Sequence, residues 1–170
     1  MSKVYKLGPF KSSDLKTIFA WQNTVVDKRT TMGFRFPVSD ETASLWLQKR
    51  VEPLSKNPTE IYWALREEST DDLIGYVTLF KIDYINRNAE IGIYLNANRN
   101  TGIGSNAIRD CLILGYKDLN LKKIQAVVIG NNIGAVKVFT KNQFEQEGLF
   151  KNHYWDGENW QSLLILAHFA

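Results

Sequence analysis

NRNAEIGIYLNANRNTGIGSNAIRDCLILGYK, residues 86–117, sets out three patterns in chain order. Ala89 to Leu95 reads as a strand, rich in isoleucine, tyrosine and leucine. Ala107, Ile108, Cys111, Leu112, Leu114, Gly115 and, just beyond, Leu119 recur at a spacing that gives a helix with a broad apolar face. Between them Gly102 and Gly104 permit close backbone approach. The helix start beyond them presents amides without intrahelical partners and the positive end of its dipole. One charge at such an end gains only about 0.3–1 kcal/mol, so a pyrophosphate needs several converging amides. The loop is neither G-x-G-x-x-G nor a P-loop with its Lys-Ser/Thr ending. On its own it reads more readily as an ordinary glycine-containing helix entry than as a phosphate cradle.

Working outward, Ile124 to Ile129 is a β-branched strand, and a helix is expected from about Asn132 to Lys141. A terminal hairpin follows, with Asp156-Gly157 near its turn. Upstream, Ile61–Arg66, Leu73–Ile82 and Ala89–Leu95 form an expected antiparallel meander, its first turn at Thr70, Asp71 and Asp72. A first strand is expected over Val4–Gly8. Ser12 or Ser13 is the expected cap of one helix, and Ser39 or Asp40 the start of another through Trp46 and Leu47. A polar stretch, Asn23 to Pro37, lies between those two helices.

The 170 residues suit one domain, residues 1–170, without repeat or low-complexity linker. Scattered charges summing to +3 argue against a nucleic-acid partner. A lone cysteine, Cys111, excludes an intramolecular disulfide and any multi-cysteine metal site. The first residues contain no apolar leader core and no run of about 18 apolar residues follows, so a cytoplasmic protein without a membrane partner is expected.

RNTGIG, residues 99–104, resembles the Arg/Gln-x-x-Gly-x-Gly/Ala acetyl-CoA loop of the GNAT superfamily, between strand and helix as in that family. NNIGAVKVFTKNQF, residues 131–144, is similar to the family's Asn-x-x-Ser/Ala…Tyr-x-Lys-x-Gly-Phe helix, with Asn132, Ala135, Phe139, Lys141 and Phe144 in matching places. AWQN at 20–23, GYVTLFKIDYINR at 75–87 and FEQEGLFKNHYWDGENW at 144–160 look like the RimJ/RimL branch, the ribosomal-protein-alanine acetyltransferase type. That branch also resembles enzymes acting on spermidine and on nucleotide-linked amino sugars.

The resemblance implies an α+β (α/β) GNAT fold, a mixed, mostly antiparallel sheet of about seven strands with about four helices. It implies acetyl-CoA as co-substrate, no metal, and a monomer or homodimer. The amides of Gly102, Ile103, Gly104, Ser105 and Asn106 would cradle the pyrophosphate, flanked by Arg99 and Thr101. The backbone of Ile91, Ile93 and Leu95 would lie beside the pantetheine arm, with Asn132, Ala135, Phe139 and Lys141 completing the cofactor site. The acceptor is an unidentified primary amine, a protein N-terminus or a small molecule such as an amino sugar or polyamine. A non-catalytic acyl-CoA-binding module and a nucleotide-binding protein are the competing readings.

An alkyl ammonium with pKa near 10.4 must lose a proton before it attacks the thioester, at about 4.6 kcal/mol at pH 7. Glu90 matches the branch's acidic residue and is the candidate base, directly or through water; an ion-paired strand carboxylate is the other reading. The family's customary proton donors are absent, because Phe139 stands where many relatives have tyrosine and Ala135 where others have serine. Tyr94 shares strand parity with Glu90 and is the candidate acid, with Tyr154 behind it; aromatic packing is the alternative for Tyr94. Cys111 reads as a buried small hydrophobe. His153, His168, Trp155 and Trp160 read as hairpin side chains, with His153 and the two tryptophans also able to touch an acceptor. Asp27, Arg29, Arg35 and Glu41 are the charged residues available to the acceptor pocket, where mixed signs do not favour a polyamine.

Overall fold

A computed structural model describes residues 5–24, 36–52, 55–96 and 101–170. Its order is β1 (Tyr5–Gly8), a 3-10 turn (Ser12–Asp14), α1 (Leu15–Asn23), α2 (Asp40–Val51), β2 (Glu60–Glu67), β3 (Leu73–Asp83) and β4 (Asn88–Leu95), then α3 (Ile103–Lys117), β5 (Lys123–Ile129), α4 (Ile133–Lys141), β6 (Glu145–Trp155) and β7 (Trp160–Phe169). The strands form one seven-stranded sheet, order β1-β2-β3-β4-β5-β7-β6. Every neighbouring pair is antiparallel except β4 and β5, which are joined by the α3 crossover. The GNAT fold is therefore the observed fold.

Strand alternation sorts the side chains into two faces. Val77, Leu79, Ile91, Ile124, Ala126 and Val128 point to the face covered by α3 and α4, where Ile108, Cys111, Leu112, Phe139 and Phe144 complete the principal core. Tyr62, Tyr76 and Tyr94 point to the other face, beneath α1 and α2, in a second cluster with Phe10, Ile18, Trp21, Trp46 and Leu47. Gly115 brings α3 down on the first face, since a Cβ there would lie 2.7 Å from Ile124 Cδ1.

Element starts largely follow the expected signals. Ser39 caps α2 by accepting from Thr42 N at 3.2 Å. Neither Ser12 nor Ser13 caps the first helix. Both lie in the 3-10 turn, and it is Asp14 Oδ2 that accepts from Lys11 N at 2.8 Å. The carboxylate has a second task, because the same oxygen lies 2.5 Å from Arg66 Nη2, with both side chains about 5% exposed. Arg66 also donates to the Asp71 and Pro9 carbonyls, so the pair ties the first helical turn to β2 and the β2–β3 turn.

Removing one partner of such a buried pair typically costs about 3–5 kcal/mol, because the survivor's charge is left without compensation. Asp14→Ala should lower the urea-unfolding free energy by about that amount. The double variant Asp14→Leu/Arg66→Met should recover most of the loss.

Candidate active site

The parallel β4–β5 ladder consists of three residue pairs, Asn88↔Lys123, Ala89↔Ile124 and Glu90↔Gln125. Beyond it β4 runs on to Leu95, held by β3 through Gly75↔Leu95, while β5 runs on to Ile129, held by β7 through Ile129↔Leu163. The end of the ladder is thus flanked by two strands that each follow a different antiparallel neighbour. Over β4 sits the start of α3. Gly102 is its N-cap with φ +88°, a left-handed conformation in which a Cβ would meet no atom within 4 Å. Ile103, Gly104 and Ser105 make up the first turn, where amides have no intrahelical acceptor.

Several expected cofactor residues need correction in detail. Asn106 N donates to Gly102 O at 3.1 Å, the first bond of the helix, so its amide is not available to an anion. Gly104 does not face open space. A Cβ there would lie 3.1 Å from Leu95 Cδ1, so this glycine seats α3 on β4. Ile103 sends its side chain into a small cluster with Tyr5, Leu65 and Ile74, leaving only its backbone for a ligand. Thr101 is exposed at the loop end. Arg99 lies outside the described residues, as do Asp27, Arg29, Arg35 and Val4.

The second helix contributes chiefly structure. Asn132 caps α4, its Oδ1 accepting from Ala135 N at 3.1 Å. Ala135 packs against the principal core. Phe139 is buried in that core, edge-on to Phe144 at 5.0 Å between centroids. Lys141 is exposed in the last turn. Its neighbour Asn142 was not singled out from the sequence, yet Asn142 Nδ2 donates to Ser105 Oγ at 3.0 Å and to Val138 O at 2.8 Å, and both polar side chains are buried. The end of α4 is thereby fastened to the first turn of α3, and the Ser105 hydroxyl is committed to that bond.

On the α1/α2 face, Glu90, Gly92 and Tyr94 stand in line along β4. Glu90 is 8% exposed. Its Oε1 lies 2.6 Å from Lys81 Nζ and 3.5 Å from Gln125 Nε2, while Oε2 makes no hydrogen bond among the described residues. Lys81 reaches it from an irregular stretch of β3, where its own φ is +51° and the β3–β4 register shifts between Phe80 and Asp83. Glu90 is thus the ion-paired strand carboxylate of the alternative reading, with Oε1 holding the pair. Tyr94 is half-buried, its ring 5.1 Å from Trp21 and 5.6 Å from Tyr76. At Gly92 any Cβ would lie 3.1 Å from Thr78 Cγ2 and 3.4 Å from Phe80.

The remaining candidates lie elsewhere in the fold. The Cys111 thiol is buried and its pKa is pushed well up by desolvation, so it carries no thiolate. His168 Nδ1 lies 2.8 Å from Tyr116 Oη, and its pKa is lowered by burial. His153 packs on Phe150 at 5.1 Å. Trp155 and Trp160 are a cross-strand pair at 5.5 Å, and Tyr154 belongs to a small cluster with Ile129 and Leu163. Glu41 is exposed in the first turn of α2. Asn23 links Val38 to the end of α1, its Oδ1 accepting from Val38 N at 3.0 Å. Among the described residues no three His, Cys, Asp or Glu side chains are grouped to hold a metal. No described helix is long and apolar enough to cross a membrane.

A family model described as "Acetyltransferase (GNAT) domain" matches residues 6–145. The "Uncharacterized N-acetyltransferase p20" of Bacillus licheniformis is 28% identical over 118 residues, 69% of this chain and 66% of that protein. The "Probable N-acetyltransferase YjcK" of Bacillus subtilis (strain 168) is 31% identical over 110 residues, 64% of this chain and 61% of that protein. The chain thus spans just under two thirds of the length of these curated relatives. A crystal structure of spermidine N-acetyltransferase from Vibrio cholerae, in complex with CoA and spermine, superposes with a TM-score of 0.87 at 21% identity, covering 99% of this chain and 96% of that one.

The Asn142–Ser105 contact is a neutral buried hydrogen bond, for which loss of one partner costs about 1–3 kcal/mol. Asn142→Ala should destabilise the fold by that amount in urea. Adding Ser105→Ala to it should cost little more, giving a positive coupling in the double-mutant cycle.

Proposed function

The chain belongs to the GNAT acetyltransferase family, and from that premise we propose that it transfers the acetyl group of acetyl-CoA to a primary amine by direct attack in a ternary complex. The observation that carries this reading is the meeting, at one place, of the end of the β4–β5 ladder with the first turn of α3. The three amides of Ile103, Gly104 and Ser105, with the left-handed Gly102 ahead of them, suit a pyrophosphate. The pantetheine arm then lies along the backbone of Ile91, Ile93 and Leu95. Arg99, Thr101 and Lys141 remain proposed flanking residues for the cofactor's charged end.

In the reaction the amine nitrogen forms a bond to the thioester carbonyl carbon, and the C–S bond breaks as the CoA thiolate departs. Glu90 accepts the amine's proton through its open oxygen, directly or by one water, while Lys81 holds the other oxygen in place. Gly92, between Glu90 and Tyr94, lets the Thr78 and Phe80 side chains close on β4. Tyr94, on the same face, is the proposed donor to the thiolate. Phe139 offers no hydroxyl for that step, and the absence of an acid there is tolerable because a thiolate leaves readily. The RimJ/RimL branch remains our finer assignment, supported by the stretches at 20–23, 75–87 and 144–160. The structural neighbour from Vibrio cholerae is a spermidine N-acetyltransferase, so a polyamine belongs in any acceptor screen beside N-terminal peptides and amino sugars.

Acetyl-CoA incubated with that screen should release free CoA thiol in the presence of at least one amine. CoA binding without release over any acceptor would instead favour a non-catalytic acyl-CoA module.

Asp and Asn are the side chains that best tolerate a left-handed backbone, so they separate charge from strain at position 102. Gly102→Asp should weaken CoA binding at least tenfold in a folded protein, and Gly102→Asn by much less. Equal CoA affinity in the Asp variant and wild type would remove the loop from the cofactor site.

Glu90→Gln should lower kcat/KM about 100-fold or more at pH 7. The deficit should shrink as pH rises toward the amine's own pKa, near 10.4, because free amine then no longer needs the base. A deficit constant across pH would mark Glu90 as structural.

A further inference from the structure

Arg50, in the last turn of α2, holds a nearly enclosed cation, its side chain 9% exposed. Its Cζ lies 3.9 Å from the Trp46 ring centroid and 4.0 Å from that of Tyr62. A guanidinium carries five N–H donors and no acceptor. Among the described residues one of these is used, in a 2.8 Å bond from Nη1 to Trp46 O. Nε is shut off from solvent and has no acceptor. The neighbouring carboxylate, Glu60, stands 3.6 Å from Nη2, beyond hydrogen-bond range, with its side chain 48% exposed.

Buried charges are ordinarily paired and hydrogen-bonded, and Arg50 is neither in full. The α2 carboxyl end and the two aromatic faces offset part of the charge. They supply no acceptor to Nη2, the guanidinium nitrogen that only the Glu60 carboxylate faces among the described residues.

Arg50 lies over the same sheet face as the proposed reaction site. Tyr62, Tyr76 and Tyr94, from β2, β3 and β4, form a row of rings with centroids 5.7 and 5.6 Å apart, all partly exposed. Tyr62 pairs with Thr78, and Thr78 with Gly92. The backbone of Tyr62, on whose ring Arg50 stacks, therefore stands about two strand spacings, roughly 10 Å, from that of Gly92.

We propose that Arg50 receives at Nη2 an oxyanion of the acceptor, a carboxylate or a phosphate, remote from the amine that is acetylated. The proposal rests on the acetyl-transfer reading above and narrows its substrate class. It also turns against a polycationic acceptor, because the Trp46 and Tyr62 faces that could draw an ammonium already hold the protein's own cation.

Two measurements test it. Sodium phosphate and sodium acetate are titrated separately into the CoA-saturated protein at constant ionic strength, with chloride as control, and tryptophan fluorescence is followed. At least one should give a saturable change that chloride does not, showing which oxyanion the site prefers. Arg50→Met should lose that change, and Glu60→Gln, which removes the competing carboxylate, should tighten binding at least threefold. No saturable change, or one that survives Arg50→Met, overturns the proposal; should Arg50→Met not fold, unaltered binding in Glu60→Gln overturns it.

In turnover, matched amines are compared: glucosamine 6-phosphate with glucosamine, and an N-terminal peptide bearing a second-position Glu with its Gln counterpart. The anionic member should show at least tenfold higher kcat/KM in one pair, and Arg50→Met should shrink that ratio at least fivefold. Preference for the neutral members or for spermidine overturns the proposal and leaves acetyl transfer standing. Failure to release CoA with any amine counts against acetyl transfer, while the anion titration still decides the fate of Arg50.

Discussion

The parallel ladder between β4 and β5 lasts for three residue pairs, and the position of its end determines where everything else in the site can be. Each strand is committed to a different antiparallel neighbour, β4 to β3 through Leu95 and β5 to β7 through Ile129. The crossover helix spans the join. Gly115 lets its far end close on Ile124, inside the paired part, and Gly104 lets its first turn close on Leu95, past the last pair. Two missing side chains thus set the tilt of one helix. That tilt leaves the dipole's positive end over the strand whose backbone borders the end of the ladder. The hydrogen bond from Asn142 to Ser105 then holds this turn against the end of α4.

The two-residue period of the strands divides the labour between the faces. The α3/α4 face is mainly apolar and contains Cys111, Phe139 and Phe144, with the buried Asn142–Ser105 bond between its helices, so its contribution is rigidity. The α1/α2 face bears every polar group with a proposed chemical role: Glu90, Tyr94 and, from the helix above, Arg50. Phe139 belongs to the first face, which explains how the helix keeps the family's spacing without a hydroxyl. The ring's surroundings in this chain reward apolar packing.

Local signals were legible in the sequence where a residue's partner lies within one turn. The Ser39 cap, the helix start near Asn132, the glycines before α3, the meander and the terminal hairpin all have that character. Features that depend on distant partners were not. Asp14 was overlooked in favour of Ser12 and Ser13 because its value comes from Arg66, 52 residues away. Asn142 looked like part of a loop because its partner is on another helix, and the bulge that aims Lys81 at Glu90 leaves no composition signal. The error at Asn106 was of another kind. A loop motif does not say where the first intrahelical bond forms, and here it forms one residue earlier than an amide count along the motif supposes. Arg50 escaped notice for a general reason: a basic residue in a helix's last turn is ordinary until its enclosure is known.

The two carboxylates on the α1/α2 face answer to one another across the sheet. Glu60, Phe80 and Glu90 occupy a single row of the β2–β3–β4 register, and each acidic end of that row has a cation beside it, Arg50 for Glu60 and Lys81 for Glu90. The floor is therefore close to electrically neutral, unlike a site that collects multiply charged cations by negative potential. The two pairs are unequal. Lys81 is mostly exposed and touches Glu90 closely, so water screens it and Glu90 keeps an open oxygen for proton transfer. Arg50 is enclosed, and its carboxylate is both more distant and more exposed, so the uncompensated charge of the face is positive and lies at the end away from the reacting amine. In the proposed reaction this face would offer an acceptor the Glu90 carboxylate at one end and the loosely paired Arg50 guanidinium at the other.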